Sequence, residues 1–292
     1  DQEMSRGLGD VYKRQLEYRG YDSSGIALHE GKLVFSKREG PIANLEKVLG
    51  TSDSKMAIAH TRWATHGVPS DVNSHPHLSN DGKIAVVHNG TIDNYLDIKA
   101  SLENEGFDFL SESDTEVIPN LLSKYYNGDL VKAMSKILSE IEGIYTIAAI
   151  HVDNPEQIVS VRQETPLVIG LGNGENYVAS DIYAILKYTQ QIIYPDDHQI
   201  VSVSPNEINV YGEDLSKIDY EVETVEKYTE VAEKGGFEHF MLKEIYEQPK
   251  ALQDSQTELF VNSPLENLHL NWKIGSISAV SYTHLRAHET SP

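Results

Sequence analysis

Arg62, Asp114 and the pair Asn89-Gly90 have the types and spacing to hold an amino acid and to stabilise negative charge beside it. A guanidinium offers a planar fork of donors that matches a carboxylate, and Arg62 follows an apolar, strand-like run from Lys55 to His60. Asp114 is an anion suited to an α-ammonium group, so Arg62 and Asp114 together could bracket the two ends of a free amino acid. Asn89 and Gly90 supply a side-chain amide and an unhindered backbone N–H. Two such donors form an oxyanion hole, and losing one typically costs about 2.7–4 kcal/mol. Each residue also has a plainer reading. Arg62 could form a structural ion pair or stack on Trp63. Asp114 could be the acid at a helix start, within a capping box of Ser113 and Glu116. Asn89-Gly90 could be a hairpin turn.

Five histidines, His60, His66, His75, His77 and His88, crowd the same stretch. His75-Pro76-His77 brings two imidazoles close, but no nearby carboxylate completes a metal-ligand spacing, so hydrogen bonding in a polar cleft is the expectation and no metal is predicted. Gly170-Leu171-Gly172-Asn173-Gly174 lacks the Lys-Ser/Thr of a phosphate loop and reads as a turn between strands.

The elements that must position these residues follow from periodicity. Ser24–His29 and Lys32–Ser36 predict a hairpin turning at Glu30-Gly31, and Ile42–Leu49 a short helix ending at Gly50. Lys55–His60 and Ile84–His88 predict buried strands. A helical block follows, with helices over Asn94–Asn104, Glu116–Tyr126 (Pro119 in its first turn) and Leu130–Ile141. Strands return at Ile144–Val152, Gln157–Arg162, Leu167–Leu171 and Tyr177–Ala179, then a helix over Asp181–Lys187, then strands to about Tyr211. Strands, helices and strands again predict an α+β protein with segregated layers. Glu213–Lys234 reads as a charged surface segment, and Met241–Pro249 as a junction.

Composition narrows the function classes. Asp and Glu number 45 against 24 Lys and Arg, a formal charge of −21, which argues against a nucleic-acid or anionic-membrane face. The longest apolar run, Ile144–Ile150, is too short to span a bilayer, and no secretory signal opens the chain, so a cytoplasmic protein is expected. The absence of cysteine excludes disulfides and Cys-ligated zinc.

Eight blocks in order resemble the glutamine–fructose-6-phosphate aminotransferase (isomerizing) family. They are Leu16–Ser23, His60–Gly67, Asn73–His77, His88–Gly90, Glu112–Glu116, Pro166–Gly172, Ala179–Asp181 and Lys243–Pro249. The resemblance implies a glutaminase domain of N-terminal-nucleophile type, a four-layer αββα sandwich, in which a leading cysteine attacks the glutamine amide. It implies that Arg62 holds the α-carboxylate and Asp114 the α-ammonium. Thr65, His66 and His75 would line the pocket, and Asn89 and Gly90 would form the oxyanion hole. Arg19 would lie beside the nucleophile, and Trp63 would gate released ammonia. It implies L-glutamine as substrate, no cofactor, and a homodimer at full length. Fructose 6-phosphate would be the acceptor in a separate isomerase half.

Two departures shape the remaining expectations. Residues 1–15 and 279–292 read as non-native segments, which leaves a glutaminase domain over 16–240 and a linker with the start of an isomerase domain over 241–278. The family's opening strand with its cysteine is missing, so the chain as written is expected to be inactive. A non-catalytic glutamine-binding module is one alternative. The glutaminase domain of an amidophosphoribosyltransferase or asparagine synthetase is the other.

Overall fold

The computed structural model describes residues 20–64, 66–225, 242–243 and 245–249. Arg19, Thr65, residues 1–15 and 279–292, and most of 241–278 lie outside the described residues. The chain divides into two compact units, 1–233 and 234–292.

The first unit opens with β1 (Ser23–His29), β2 (Leu33–Glu39), α1 (Ile42–Glu46), β3 (Ala57–Arg62), β4 (His77–Leu78) and β5 (Ile84–Ile92). The helical block is α2 (Tyr95–Asn104), α3 (Val117–Tyr125) and α4 (Leu130–Leu138). Strands then resume as β6 (Gly143–His151), β7 (Ile158–Gln163), β8 (Val168–Leu171), β9 (Asn176–Ala179), β10 (Gln191–Ile193), β11 (Ile200–Val203), β12 (Ile208–Tyr211), β13 (Lys217–Ile218) and β14 (Glu223–Thr224).

Among the described residues these strands form three sheets, each built from antiparallel pairs. One has the order β2-β1-β3, one β14-β10-β8-β9, and the largest β13-β12-β11-β7-β6-β5-β4. Period-two alternation assigns the faces of the large sheet. Ile84, Val86, Tyr145, Ile147, Val159 and Val161 share a core with Leu121, Leu122, Leu130 and Met134 of α3 and α4. The opposite face places Ala85 and Ile150 against Ala27 and Ile58 of the three-stranded sheet, and Val201 and Val203 against Ile169 and Ile193 of the four-stranded one. On the far side, Val168 and Ile192 pack with Ala184 and Ile185, beside the 3-10 turn Ile182–Ala184, while α1 buries Ile42 and Leu45. The result is helix, sheet, sheet, helix: an α+β sandwich of four layers.

Several boundaries moved. The predicted helix over Asp181–Lys187 is only the 3-10 turn, capped by the Asp181 side chain on the Tyr183 N–H. α4 is capped as its sequence suggests, with Asp129 accepting from Val131 and Lys132 at 3.0 and 3.1 Å. Its apolar residues 130, 131, 133, 134 and 137 are all buried. The stretch read as a charged surface segment contains the short strands β13 and β14, too polar for the apolar pattern to reveal. Gly174, at a φ of 77°, sits in the turn joining β8 and β9, as the glycine spacing predicts. In the second unit, 242–243 and 245–249 are helical, with Lys243 3.8 Å from Glu247 one turn on.

Candidate functional site

Arg62 ends β3, and its neighbourhood is fixed by the block around Gly20 to Ser23. Ser23 pairs with Arg62 in the β1–β3 register, and the Asp22 N–H donates to the Arg62 carbonyl at 3.1 Å. The Asp22 carboxylate accepts from the Ala64 N–H at 2.9 Å, turning the chain as it leaves the strand. Gly20 lies so close that a Cβ there would stand 2.7 Å from the Arg62 carbonyl carbon. The Arg62 side chain is 4% exposed. Its Nη2 donates to the carbonyls of His66 and Gly67, while Nη1 has no hydrogen-bond partner among the described residues. Burial lowers its pKa, opposed by the Asp114 and Asp22 charges, and a guanidinium remains a cation throughout. The Asp114 and Asp22 charges act on Arg62, and the Trp63 ring meets Tyr21 edge-on at 5.4 Å.

Asp114 opens the 3-10 turn Asp114–Glu116 that leads into α3, and is 3% exposed. Its Oδ2 accepts the Ile92 N–H at 2.9 Å, leaving Oδ1 facing His66 Nδ1 at 4.0 Å. The expected capping box forms only in part. Ser113 accepts from the Thr115 N–H at 3.3 Å. Glu116, instead of reaching back to Ser113, accepts from the Leu110 and Ser111 N–H groups and the Ser111 hydroxyl, at 2.9, 2.7 and 2.6 Å. A buried carboxylate takes the site with most donors, and the bend at Ser111 offers three.

The loop after Arg62 is clamped onto the segment before Asp114. Asn73 donates to the Val68 carbonyl and to the Glu112 carboxylate, and accepts the Glu112 N–H, at 2.9, 3.1 and 2.9 Å. Gly67, at a φ of 76°, packs where a Cβ would meet Asn73 and Glu112 at 2.8 and 2.9 Å. This clamp holds His66, whose ring meets Tyr95 edge-on at 5.5 Å, over Asp114.

Asn89 and Gly90 are not a hairpin turn. They sit inside β5, opposite Thr146 and Tyr145 of β6. The strand runs on to Ile92 because Gly90 adopts a φ of 114°, and a Cβ there would lie 1.9 Å from the Ile144 carbonyl oxygen. The Asn89 Oδ1 lies 2.8 Å from His60 Nε2.

The remaining histidines form a buried, hydrogen-bonded stack. The His75 ring lies 4.2 Å from His60 and 5.0 Å from His77, centroid to centroid. Its Nδ1 accepts the His88 N–H at 3.2 Å, and Thr115 Oγ1 lies 3.3 Å from its Nε2 and 2.9 Å from His88 Nδ1. Burial pushes His60 and His88 down to about 4, and His75 and His77 well below the ordinary value of 6.5. An unfolded chain takes up protons below pH 6.5 that this fold refuses, so stability falls as pH drops from 6.5 towards 4. Each buried histidine contributes on the order of 1 kcal/mol per pH unit in that window. Urea titrations near pH 7 and pH 5 are expected to show a loss of about 2 kcal/mol or more; equal stabilities would contradict it. Among the described residues no three His, Asp or Glu side chains converge as a metal site.

Of the residues singled out in the sequence, Arg62 contacts the His66 carbonyl, His66 faces Asp114, and Asn89 is joined through His60 to His75. His60 hydrogen-bonds as expected, whereas Asp22, Asn73 and Glu112 escaped the sequence reading as positioning residues. Their signal was only that they fall inside the same short blocks as the residues they support.

Residues 60–187 match the glutamine amidotransferase domain family. The glutamine–fructose-6-phosphate aminotransferase [isomerizing] of Caldanaerobacter subterraneus subsp. tengcongensis is 49% identical over 265 residues, covering 88% of this chain and 43% of that protein. The Aquifex aeolicus protein of the same name is 50% identical over 244 residues, covering 82% and 41%. The chain therefore spans less than half the length of these relatives. In structure it resembles the glutamine phosphoribosylpyrophosphate amidotransferase of B. subtilis, with a TM-score of 0.59 and 26% identity over 70% of this chain and 46% of that one. The αββα sandwich is accordingly that of the N-terminal-nucleophile glutamine amidotransferases. No helix among the described residues is long and apolar enough to cross a membrane. Over 82–88% of its length the chain is thus similar to glutamine–fructose-6-phosphate aminotransferases [isomerizing], and its residues 60–187 are a glutamine amidotransferase domain.

Proposed function

We propose that this domain binds L-glutamine, with the α-carboxylate on Arg62 and the α-ammonium at Asp114. The observation that carries this reading is the Arg62 guanidinium: buried, held by its own loop through Nη2, and with Nη1 unpartnered among the described residues. A buried cation in that state favours an incoming anion. The Oδ1 of Asp114, 4.0 Å from His66 Nδ1, supplies the opposite charge for the other end of the ligand. His66 and His75 line the pocket, a role that for Thr65 rests on the family resemblance alone, and the ligand's side-chain carbonyl is directed at Asn89 and the Gly90 N–H. The family resemblance assigns Arg19 to the nucleophile and Trp63 to the path of released ammonia.

Hydrolysis in this arrangement requires a thiolate to attack the amide carbon. Negative charge then collects on the former carbonyl oxygen, where the two donors of β5 stabilise it. This chain contains no cysteine. It therefore binds glutamine without releasing ammonia at more than about 10⁻⁶ of an intact enzyme's rate. In the whole protein, cytoplasmic and homodimeric, the ammonia passes to fructose 6-phosphate in the isomerase half and yields glucosamine 6-phosphate. The 49–50% identity to the aminotransferases, against 26% to the phosphoribosylpyrophosphate enzyme, supports that acceptor.

Calorimetry with L-glutamine and 4-carbamoylbutanoate, which lacks the α-ammonium, tests the assignment. A charge-assisted contact contributes about 1.5–3 kcal/mol, so the analogue is expected to bind at least about tenfold more weakly. Equal affinities would remove Asp114 from the site.

A further inference from the structure

We propose that His60 is the positioning residue of the oxyanion hole: its Nε2–H holds Asn89 Oδ1 and thereby aims the Asn89 NH₂ group at the ligand. This rests on the glutamine-binding reading above. An asparagine side chain has a donor end and an acceptor end of nearly equal shape. Rotated by half a turn, Asn89 would present its oxygen to the carbonyl of the ligand and repel it. The contact that decides the orientation is the 2.8 Å approach of His60 Nε2 to Asn89 Oδ1, which requires the proton on Nε2.

Three further observations make His60 suited to this task. Its Nδ1 is buried without a hydrogen-bond partner among the described residues, and Asn89 acts on the ring more strongly than its other hydrogen-bonding neighbour, the His88 backbone. Its ring is stacked at 19° on His75, whose own Nδ1 accepts the His88 N–H. The stacked pair thus holds two successive residues of β5: His75 accepts the His88 N–H, and His60 meets the Asn89 side chain. Burial also holds the His60 ring neutral down to about pH 4, so it carries a single ring proton, which the contact with Asn89 Oδ1 places on Nε2.

The test compares two ligands on the full chain by NMR titration. L-Glutamine carries the side-chain carbonyl, whereas L-2-aminobutyrate keeps both α groups and lacks it. His60→Phe keeps the ring and removes the donor. It is expected to weaken L-glutamine about tenfold and leave L-2-aminobutyrate within twofold, with His60→Gln restoring most of the loss. Equal weakening of both ligands, or of neither, overturns the proposal. If the unsubstituted protein binds neither ligand, it is the glutamine reading that fails. Should the variants not fold, the ring nitrogens of the unsubstituted protein decide. A proton on His60 Nε2 near pH 7 supports the proposal, and a proton on Nδ1 overturns it.

Discussion

Replacing Arg62 by Ala is expected to weaken L-glutamine binding by about 100-fold or more. A bidentate, charge-assisted contact to a carboxylate contributes on the order of 3 kcal/mol when buried, and each 1.4 kcal/mol is a factor of ten. The effect has a second source. Nη2 of Arg62 also holds the carbonyls of His66 and Gly67, so the alanine variant releases the loop that carries His66 over Asp114. Arg62→Lys separates the two. It keeps a positive charge but offers no fork, and it is expected to retain measurable binding, roughly tenfold weaker than the unsubstituted protein. Isothermal titration calorimetry reads both variants, and an unchanged affinity in Arg62→Ala would remove the carboxylate from Arg62.

Gly90→Ala is expected to destabilise the domain by about 4 kcal/mol, near the upper end for a single substitution. The added Cβ would sit 1.9 Å from the Ile144 carbonyl oxygen, and the backbone at a φ of 114° is one that only glycine adopts readily. Both obstacles lie in the backbone of the β5–β6 ladder, where Gly90 stands opposite Tyr145 next to Ile144, so relief requires the paired strands to shift against each other. For a domain of this size such a loss lowers the melting temperature by roughly 10 °C. Gly31→Ala is the comparison. Its φ is also positive, at 70°, but nothing lies within 4 Å, so only the backbone cost of about 1 kcal/mol is expected. Thermal melts of the pair distinguish a steric requirement at Gly90 from a general glycine effect; similar melting points would argue that β5 yields locally.

What the residues revealed in advance depended on how local their physics is. β5, β6 and α4 were legible because period-two and helical apolar spacing report burial directly. The Asp181 segment was not, since a cap and three apolar residues look alike at the start of a full helix and of one 3-10 turn. Asn89-Gly90 was misleading on local grounds. The pair favours a hairpin in isolation, and only the backbone of β6 beside it forces the strand to continue. Glu116 followed the same rule, leaving the cap position for a richer set of donors at Ser111. Roles carried by long-range partners, such as Asn73 on Glu112 or His60 on Asn89, have no periodic signature. They join residues 39 and 29 positions apart.

Arg62 belongs to the three-stranded sheet, Asn89 to the large sheet, and Asp114 to the turn that begins α3. A ligand touching all three spans three layers of the sandwich, and no single layer contains a binding site. Only the fully assembled unit recognises it, so a ligand at 100 times its dissociation constant adds about 2.7 kcal/mol to global unfolding. Amide hydrogen exchange would therefore slow in all three layers together. Recognition and cohesion are, in this arrangement, the same event.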